Sequence, residues 1–255
     1  MPLRVDLNCD LGEDTGPTGS TRDEAILAWV TSVNIACGYH AGDHNVMRRT
    51  LQLAAAKGVG LGAHPGLPDR QGFGRRSMKV EPDDVFNMVV YQVGALQALA
   101  AVSGQRLQHV KPHGVLYNRA ARETPVARAI VDAVHAVDPG LILFALSGGE
   151  VVRVGRAAGL LVAEEGFADR TYQPDGTLTP RTSPGAVITD PGEAARRAVR
   201  MVKEGEIAAA DGSELTLHID TVCIHGDEPQ APTFAKMLRQ TLERNGIRVQ
   251  RIGGR

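Results

Sequence analysis

A closed (β/α) barrel is the fold this chain predicts, and three observations carry the prediction. Strand-length apolar segments alternate with helix-length segments through all 255 residues, enough for seven or eight βα units. One after another, the predicted strands end in His, Asp or Lys close to Gly, which collects polar chemistry at one end of a parallel sheet. The Gly-x-Gly-x-x-Gly turn of an open dinucleotide-binding sheet is missing after the first strand, where acidic Asp10-Leu11-Gly12-Glu13 stands instead. No linker, charge block or low-complexity run divides the chain, so residues 1–255 read as a single TIM-like barrel domain.

Residues 3–9 form the first strand: Leu3, Val5, Leu7 and Cys9 hold one face while Asp6, Asn8 and Asp10 hold the other. A helix over 22–30 leads to a strand over 33–37, where Asn34 alternates with Val33, Ile35 and Cys37. The loop Gly38-Tyr39-His40-Ala41-Gly42 then brings Asp43 to the start of a helix over 44–57, as its cap or as a ligand. A strand over 59–63 ends in His64-Pro65-Gly66, and a long helix covers 82–103. The next strand, 107–112, places His109, Lys111 and His113 in one phase. A helix over 122–137 begins at Thr124-Pro125, followed by a strand over 141–146. Ser147 and Glu150 have the spacing of a capping box for a helix over 148–158. After a strand over 160–165, the Thr-, Pro- and Gly-rich stretch 166–190 reads as a loop folding over the barrel mouth. Asp190-Pro191 starts a helix over 191–205, a strand over 221–225 ends in His225-Gly226-Asp227, and a helix covers 230–245. A last strand over 247–252 leaves seven against eight barrel strands open.

Bulk properties exclude several functions. A formal net charge of −1 offers no basic footprint for nucleic acid. No run approaches the ~18 apolar residues of a membrane span, and the first residues lack the pattern of a secretory signal, so no membrane partner is expected. Three cysteines, Cys9, Cys37 and Cys223, sit in predicted strands, which suits reduced thiols in a cytoplasmic protein.

In a barrel, one strand phase faces the interior. Asp6, Asn8 and Asp10 share such a phase, as do His109, Lys111 and His113, and again Cys223, His225 and Asp227. Several His and Asp converging from different βα units mark a functional site. Pro65 and Pro112 hold His64 and Lys111 extended, so both point inward. A buried Lys111 either holds a substrate carboxylate or oxyanion, or forms a salt bridge to Asp6 or Asp10. Gln71-Gly72-Phe73-Gly74-Arg75-Arg76 is able to grip an anion through Arg75, and Arg170 to clamp one beside the acids Glu164 and Asp169. Neither a P-loop nor a nucleophile elbow is present, which favours acid–base or metal-assisted chemistry.

Together, Asp6-x-Asn8-x-Asp10-x-Gly12-Glu13, the Asn34–Asp43 segment, Gly62-Ala63-His64-Pro65-Gly66, Lys111-Pro112-His113-Gly114, Glu164-x-x-Phe167-Ala168-Asp169-Arg170 and Ile224-His225-Gly226-Asp227 resemble the LamB/YcsF lactam-utilisation family over nearly the whole chain. The resemblance implies a part in an ATP-hydrolysing 5-oxoprolinase that opens 5-oxoproline to L-glutamate with two further subunits, of B and C type. It also implies a seven-stranded barrel akin to sugar hydrolases and polysaccharide deacetylases. Asp10, His113 and His225 are the expected acid–base groups and Lys111 the oxyanion holder. Asn8, Asn34, Arg75, Asp169 and Arg170 are expected to bind substrate. With no P-loop, ATP is expected to be bound wholly or partly by the partners. Two other readings stay open: a stand-alone amidohydrolase or deacetylase with a divalent metal on Asp10, His40 and His64, and a non-catalytic carboxylate-binding subunit.

Overall fold

Residues 3–14, 19–225 and 230–253 are described by the computed structural model. In chain order come β1 (Arg4–Leu11), α1 (Gly19–Leu27), β2 (Ser32–Ala36), α2 (His44–Ala56), β3 (Gly60–His64), α3 (Pro82–Val102), β4 (His109–Val110), α4 (Gly114–Ala120) and α5 (Thr124–Val137). They are followed by β5 (Ile142–Leu146), α6 (Glu150–Ala157), β6 (Val162–Phe167), α7 (Pro191–Glu204), β7 (Glu206–Ala208), β8 (Glu214–Thr216), β9 (Thr221–Ile224), α8 (Ala231–Arg244) and β10 (Arg248–Val249). Parallel pairing runs β1–β2–β3–β4–β5–β6–β9 and returns to β1, with Asp6 opposite Thr221. Seven strands therefore close a TIM-like barrel. The last strand, β10, stays out of the wall and, among the described residues, pairs with Arg4 and Val5 at the base of β1. Just beyond it Ile252 packs against Ile142, Phe144 and Ala163 and stoppers the barrel floor.

The period of two sorts the side chains. Leu7, Cys9 and Leu11 turn outward into an apolar layer that includes Val85, Val89, Val93 and Leu96 of α3. The lumen is polar: Asp6, Asn8, Asn34, His109, Lys111 and Glu165 are all buried. Burial without partners is costly, and each acid here has some. Asp6 accepts from Thr31 Oγ1 at 2.7 Å, Ser32 Oγ at 2.7 Å and Thr221 Oγ1 at 2.6 Å. Gly62 makes room for the His109 ring, since a Cβ there would lie 2.0 Å from His109 Nε2. Against expectation, one segment has the length and apolarity of a membrane span: α3 has 21 residues and a mean hydropathy of 1.6 over its most apolar window. Its buried valines nonetheless pack on the barrel.

Local expectations change where backbone chemistry decides. The predicted strand 107–112 shortens to β4, because Pro112 has no N–H to continue a ladder. The unpredicted α4 follows at once, too short for its periodicity to register. The β7–β8 hairpin is also unpredicted, although Asp211-Gly212 at its turn, with Gly212 at φ +86°, is the signal for it. Thr124 is the first residue of α5 rather than its cap, and donates to Glu150 Oε2 at 2.6 Å. Ser147 donates to Glu164 Oε2 at 2.9 Å rather than capping α6. Asp43 does cap α2, accepting from the backbone N–H of Asn45 at 2.8 Å and Val46 at 2.9 Å.

Candidate active site

Strand ends deliver the site. After β1, Gly12 takes φ +72° and donates its N–H to Asp23 Oδ2 at 3.1 Å, a turn that swings Glu13 over the lumen. His40 comes from the loop after β2, His64 is the last residue of β3, and His113 immediately precedes α4. Their ring nitrogens converge on Glu13 Oε1: His40 Nε2 at 3.1 Å, His113 Nδ1 at 3.3 Å and His64 Nε2 at 3.7 Å. His64 Nε2 also lies 3.3 Å from Asp10 Oδ2 and 3.0 Å from His113 Nδ1. Burial pushes His40 down to about 3 and lowers His113. Burial would lower His64 as well, but the Asp10 carboxylate outweighs it and His64 is raised.

Below this lies Lys111, its ammonium 3.0 Å from Asp10 Oδ1, 3.0 Å from Glu165 Oε1, 2.9 Å from Cys223 Sγ and 3.2 Å from Asn8 Oδ1. Three protons face four acceptors, so no donor is left over for an oxyanion. Burial opposes the charge on Lys111, yet Asp10, Cys223 and Glu165 raise its pKa well above the usual value. Burial likewise works against ionised Asp10, but His64 and then Lys111 hold it well below the ordinary carboxylate range.

On the opposite wall His225 Nδ1 lies 2.6 Å from Asp169 Oδ2. Burial would raise Asp169, and the adjacent His225 brings it down. Asp10, Cys223 and His225 bring ligand-capable atoms within 4.8 Å of one another, so both walls face one centre. A cavity of about 430 Å³ opens over that centre, with Arg75, Arg170 and Arg181 on its rim. The loop after β6 covers it as expected, held by bridges between Arg170 and Val187 and between Tyr172 and Leu178.

The expected residues separate by position. Asp10, Lys111, His113, His225, Arg75 and Arg170 all line the cavity, as does His64. Arg170 is tied to the loop, donating to Ala186 O at 3.2 Å and to Thr179 O. Arg181 Nη2, by contrast, has no hydrogen-bond partner among the described residues. Asn8 and Asn34, expected to bind substrate, are fully buried beneath the cavity. Asn34 Nδ2 donates to Asp10 Oδ1 at 2.8 Å and Asn8 Nδ2 to Glu165 Oε1 at 2.9 Å, so each amide holds a buried acid. Asp169 faces His225 rather than the cavity. Glu164, a site candidate from the sequence, turns out to Arg156 at 2.8 Å, and its neighbour Glu165 holds the lumen position. Sequence reasoning gave no role to Glu13 or Glu165. Glu13 was visible as an acid just past a strand end, whereas Glu165 needed the register of β6. Asp227 lies outside the described residues.

The chain matches the LamB/YcsF family over residues 5–254. It is 53% identical over 251 residues to the A-type subunit of 5-oxoprolinase from Oceanobacillus iheyensis, covering 98% of each chain. Among solved structures it superposes on a lactam utilization protein from Thermus thermophilus with a TM-score of 0.89 and 48% identity, over 97% of this chain and 99% of that one. A T48 deacetylase shares the fold alone, at a TM-score of 0.50 and 14% identity over 97% of this chain and 87% of that one.

Proposed function

Since the chain belongs to the LamB/YcsF family, we propose that it is the ring-opening component of a 5-oxoprolinase, converting 5-oxoproline to glutamate with ATP hydrolysis contributed by partner subunits. The observation that carries this reading is the Asp169–His225 pair facing Asp10 across one cavity. A γ-lactam is a poor electrophile, and opening it calls for a base toward water and an acid toward the ring nitrogen. Asp10, kept ionised by His64 and Lys111, takes the proton of water. His225 delivers a proton to the departing nitrogen, its ring held in one tautomer by Asp169. Lys111 fixes Asp10 rather than touching substrate. Arg181, with Arg75 beside it on the rim, grips the carboxylate, and the same cationic rim suits a lactam activated by phosphorylation.

The Oceanobacillus relative is named as one lettered component of its enzyme, which supports an assembly with further subunits, and we read these as B- and C-type partners. The sequence holds no P-loop, which favours handling of ATP on those partners. Cys9, Cys37 and Cys223 are free and buried, in keeping with a cytoplasmic location. Reconstitution tests the reading: glutamate release should require the chain, its partners and ATP together, and His225→Ala should lower it by at least ~10²-fold. Robust ATP-independent turnover by the chain alone would overturn it in favour of a stand-alone amidohydrolase.

A further inference from the structure

Two histidines in the mouth have their tautomers dictated by carbonyl oxygens, which only accept. His64 Nδ1 donates to Lys111 O at 2.6 Å, and His113 Nε2 donates to Phe73 O at 2.8 Å. In the neutral rings the other nitrogens, His64 Nε2 and His113 Nδ1, therefore present lone pairs, and these lie 3.0 Å apart. Each also faces a carboxylate oxygen, Asp10 Oδ2 and Glu13 Oε1 respectively, at 3.3 Å. Glu13 Oε1 also meets His40 Nε2 at 3.1 Å, and a metal ion entering here would displace the proton that Asp10 favours on His64 Nε2. The surrounding charges ask for a cation too, because Asp10 and Glu165 divide the ammonium of Lys111 while the Glu13 carboxylate is met by imidazoles.

We propose that Glu13 Oε1, His64 Nε2 and His113 Nδ1 form a binding site for one divalent transition-metal ion, of the zinc or manganese class. The separations of 3.0, 3.3 and 3.7 Å among these atoms are the ligand-to-ligand edges of an ion held at about 2.1 Å. The His64 and His113 rings stand at 88°, so their planes cross, and an ion on the line of crossing would lie in both. A backbone carbonyl on the far N–H of each ring is the outer-shell arrangement that fixes metal-binding imidazoles.

This ligand set differs from the Asp10, His40 and His64 expected from sequence. His40 stacks on His113 with ring centroids 3.7 Å apart and planes 1° from parallel, so no ion lies in the planes of both rings. Its Nε2 instead holds Glu13 Oε1 at 3.1 Å, which makes His40 a positioning residue. Asp10 is engaged by Lys111 and Asn34 and stays outside the set as the neighbouring base. Two imidazoles and one carboxylate leave further positions open toward the cavity, where a water or a carbonyl oxygen would bind.

Occupancy decides the matter without substrate, so its outcome is separate from that of the lactam-opening reading. The purified full-length chain is dialysed against Zn²⁺, freed of excess and assayed for bound zinc, and in parallel loaded with Co²⁺ for its visible absorption. One ion per chain is expected in the wild type. Glu13→Gln and His113→Ala should each weaken binding by more than ~100-fold, while His40→Ala weakens it by about 10-fold and leaves the cobalt bands in place. Zinc should also raise the wild-type melting temperature and a chelator reverse the rise, a readout that stands even where a variant folds poorly. Substoichiometric zinc with no thermal shift, or full occupancy retained by both Glu13→Gln and His113→Ala, would overturn the proposal.

Discussion

Lys111 illustrates how one side chain can be read twice. Its inward phase is legible from the alternation of His109, Lys111 and His113, and that alternation leaves two roles open, substrate contact or salt bridge. Geometry selects the salt bridge, since Asp10 and Glu165 each sit 3.0 Å from Nζ and Cys223 and Asn8 take the remaining directions. Lys111→Met would leave buried Glu165 without its cation and take from Asp10 one of the two groups that hold it ionised. Removing one partner of a buried pair costs about 3–5 kcal/mol, and that loss is expected here. Chemical denaturation of the variant measures it. Wild-type stability in that variant would mean that Lys111 is not the partner of those acids.

At the level of elements, function hangs on how each strand ends. Asp43 shows the point, because a motif containing His40, Asp43 and His44 invites a ligand interpretation. The side chain accepts from the Asn45 and Val46 N–H groups, satisfying orphan donors of α2. Those same bonds pull the Asp43 carboxyl below its usual value. Asp43→Ala should cost about 1 kcal/mol and leave metal content unchanged. Loss of zinc in a folded Asp43→Ala chain would return Asp43 to the ligand set. Periodicity found the seven wall strands and seven of the eight helices, because apolar spacing is a local property. It missed α4, which is only seven residues long, and the β7–β8 hairpin, whose strands have three residues each.

The barrel as a whole inverts the usual layering, with its apolar layer outside the wall and a polar lumen within. That inversion should be visible in how stability depends on pH. Burial holds His40 and His109 neutral, each pushed down to about 3 against 6.5 for the free ring. Between those values the unfolded chain binds two protons that the folded chain refuses. The contribution of the two rings is therefore complete above pH 6.5 and shrinks as pH falls toward 3. With two such groups the slope approaches roughly 3 kcal/mol per pH unit in the middle of that window. His64 works in the opposite sense: its raised pKa favours the fold at low pH, and that contribution fades as pH rises through its folded value. Burial raises Asp6 and Asp23 to about 6, and these two acids act in the opposite sense over the same range, so the rings are read by difference. Urea denaturation at pH 5 and pH 6 should show His109→Gln losing about 1.4 kcal/mol of the wild-type change between the two, and an unaltered change in that variant would show that this ring is not held neutral.

By itself the sequence determined the seven wall strands and the seven longer helices, the polar face of the first strand, and that His and Asp gather at the strand ends. Those follow from spacing along the chain, which any reader of the residues can count. Only the tertiary structure decided that the wall closes with seven strands, because closure depends on β1 meeting β9 and leaving β10 at its base. It also decided that Glu165 rather than Glu164 enters the lumen, since one residue of register exchanges the two faces of a strand. The assignment of Glu13, His64 and His113 to one point, with His40 behind them, is tertiary as well. It rests on ring planes and on which carbonyl each imidazole meets across the barrel, and neither is written in the spacing of the residues.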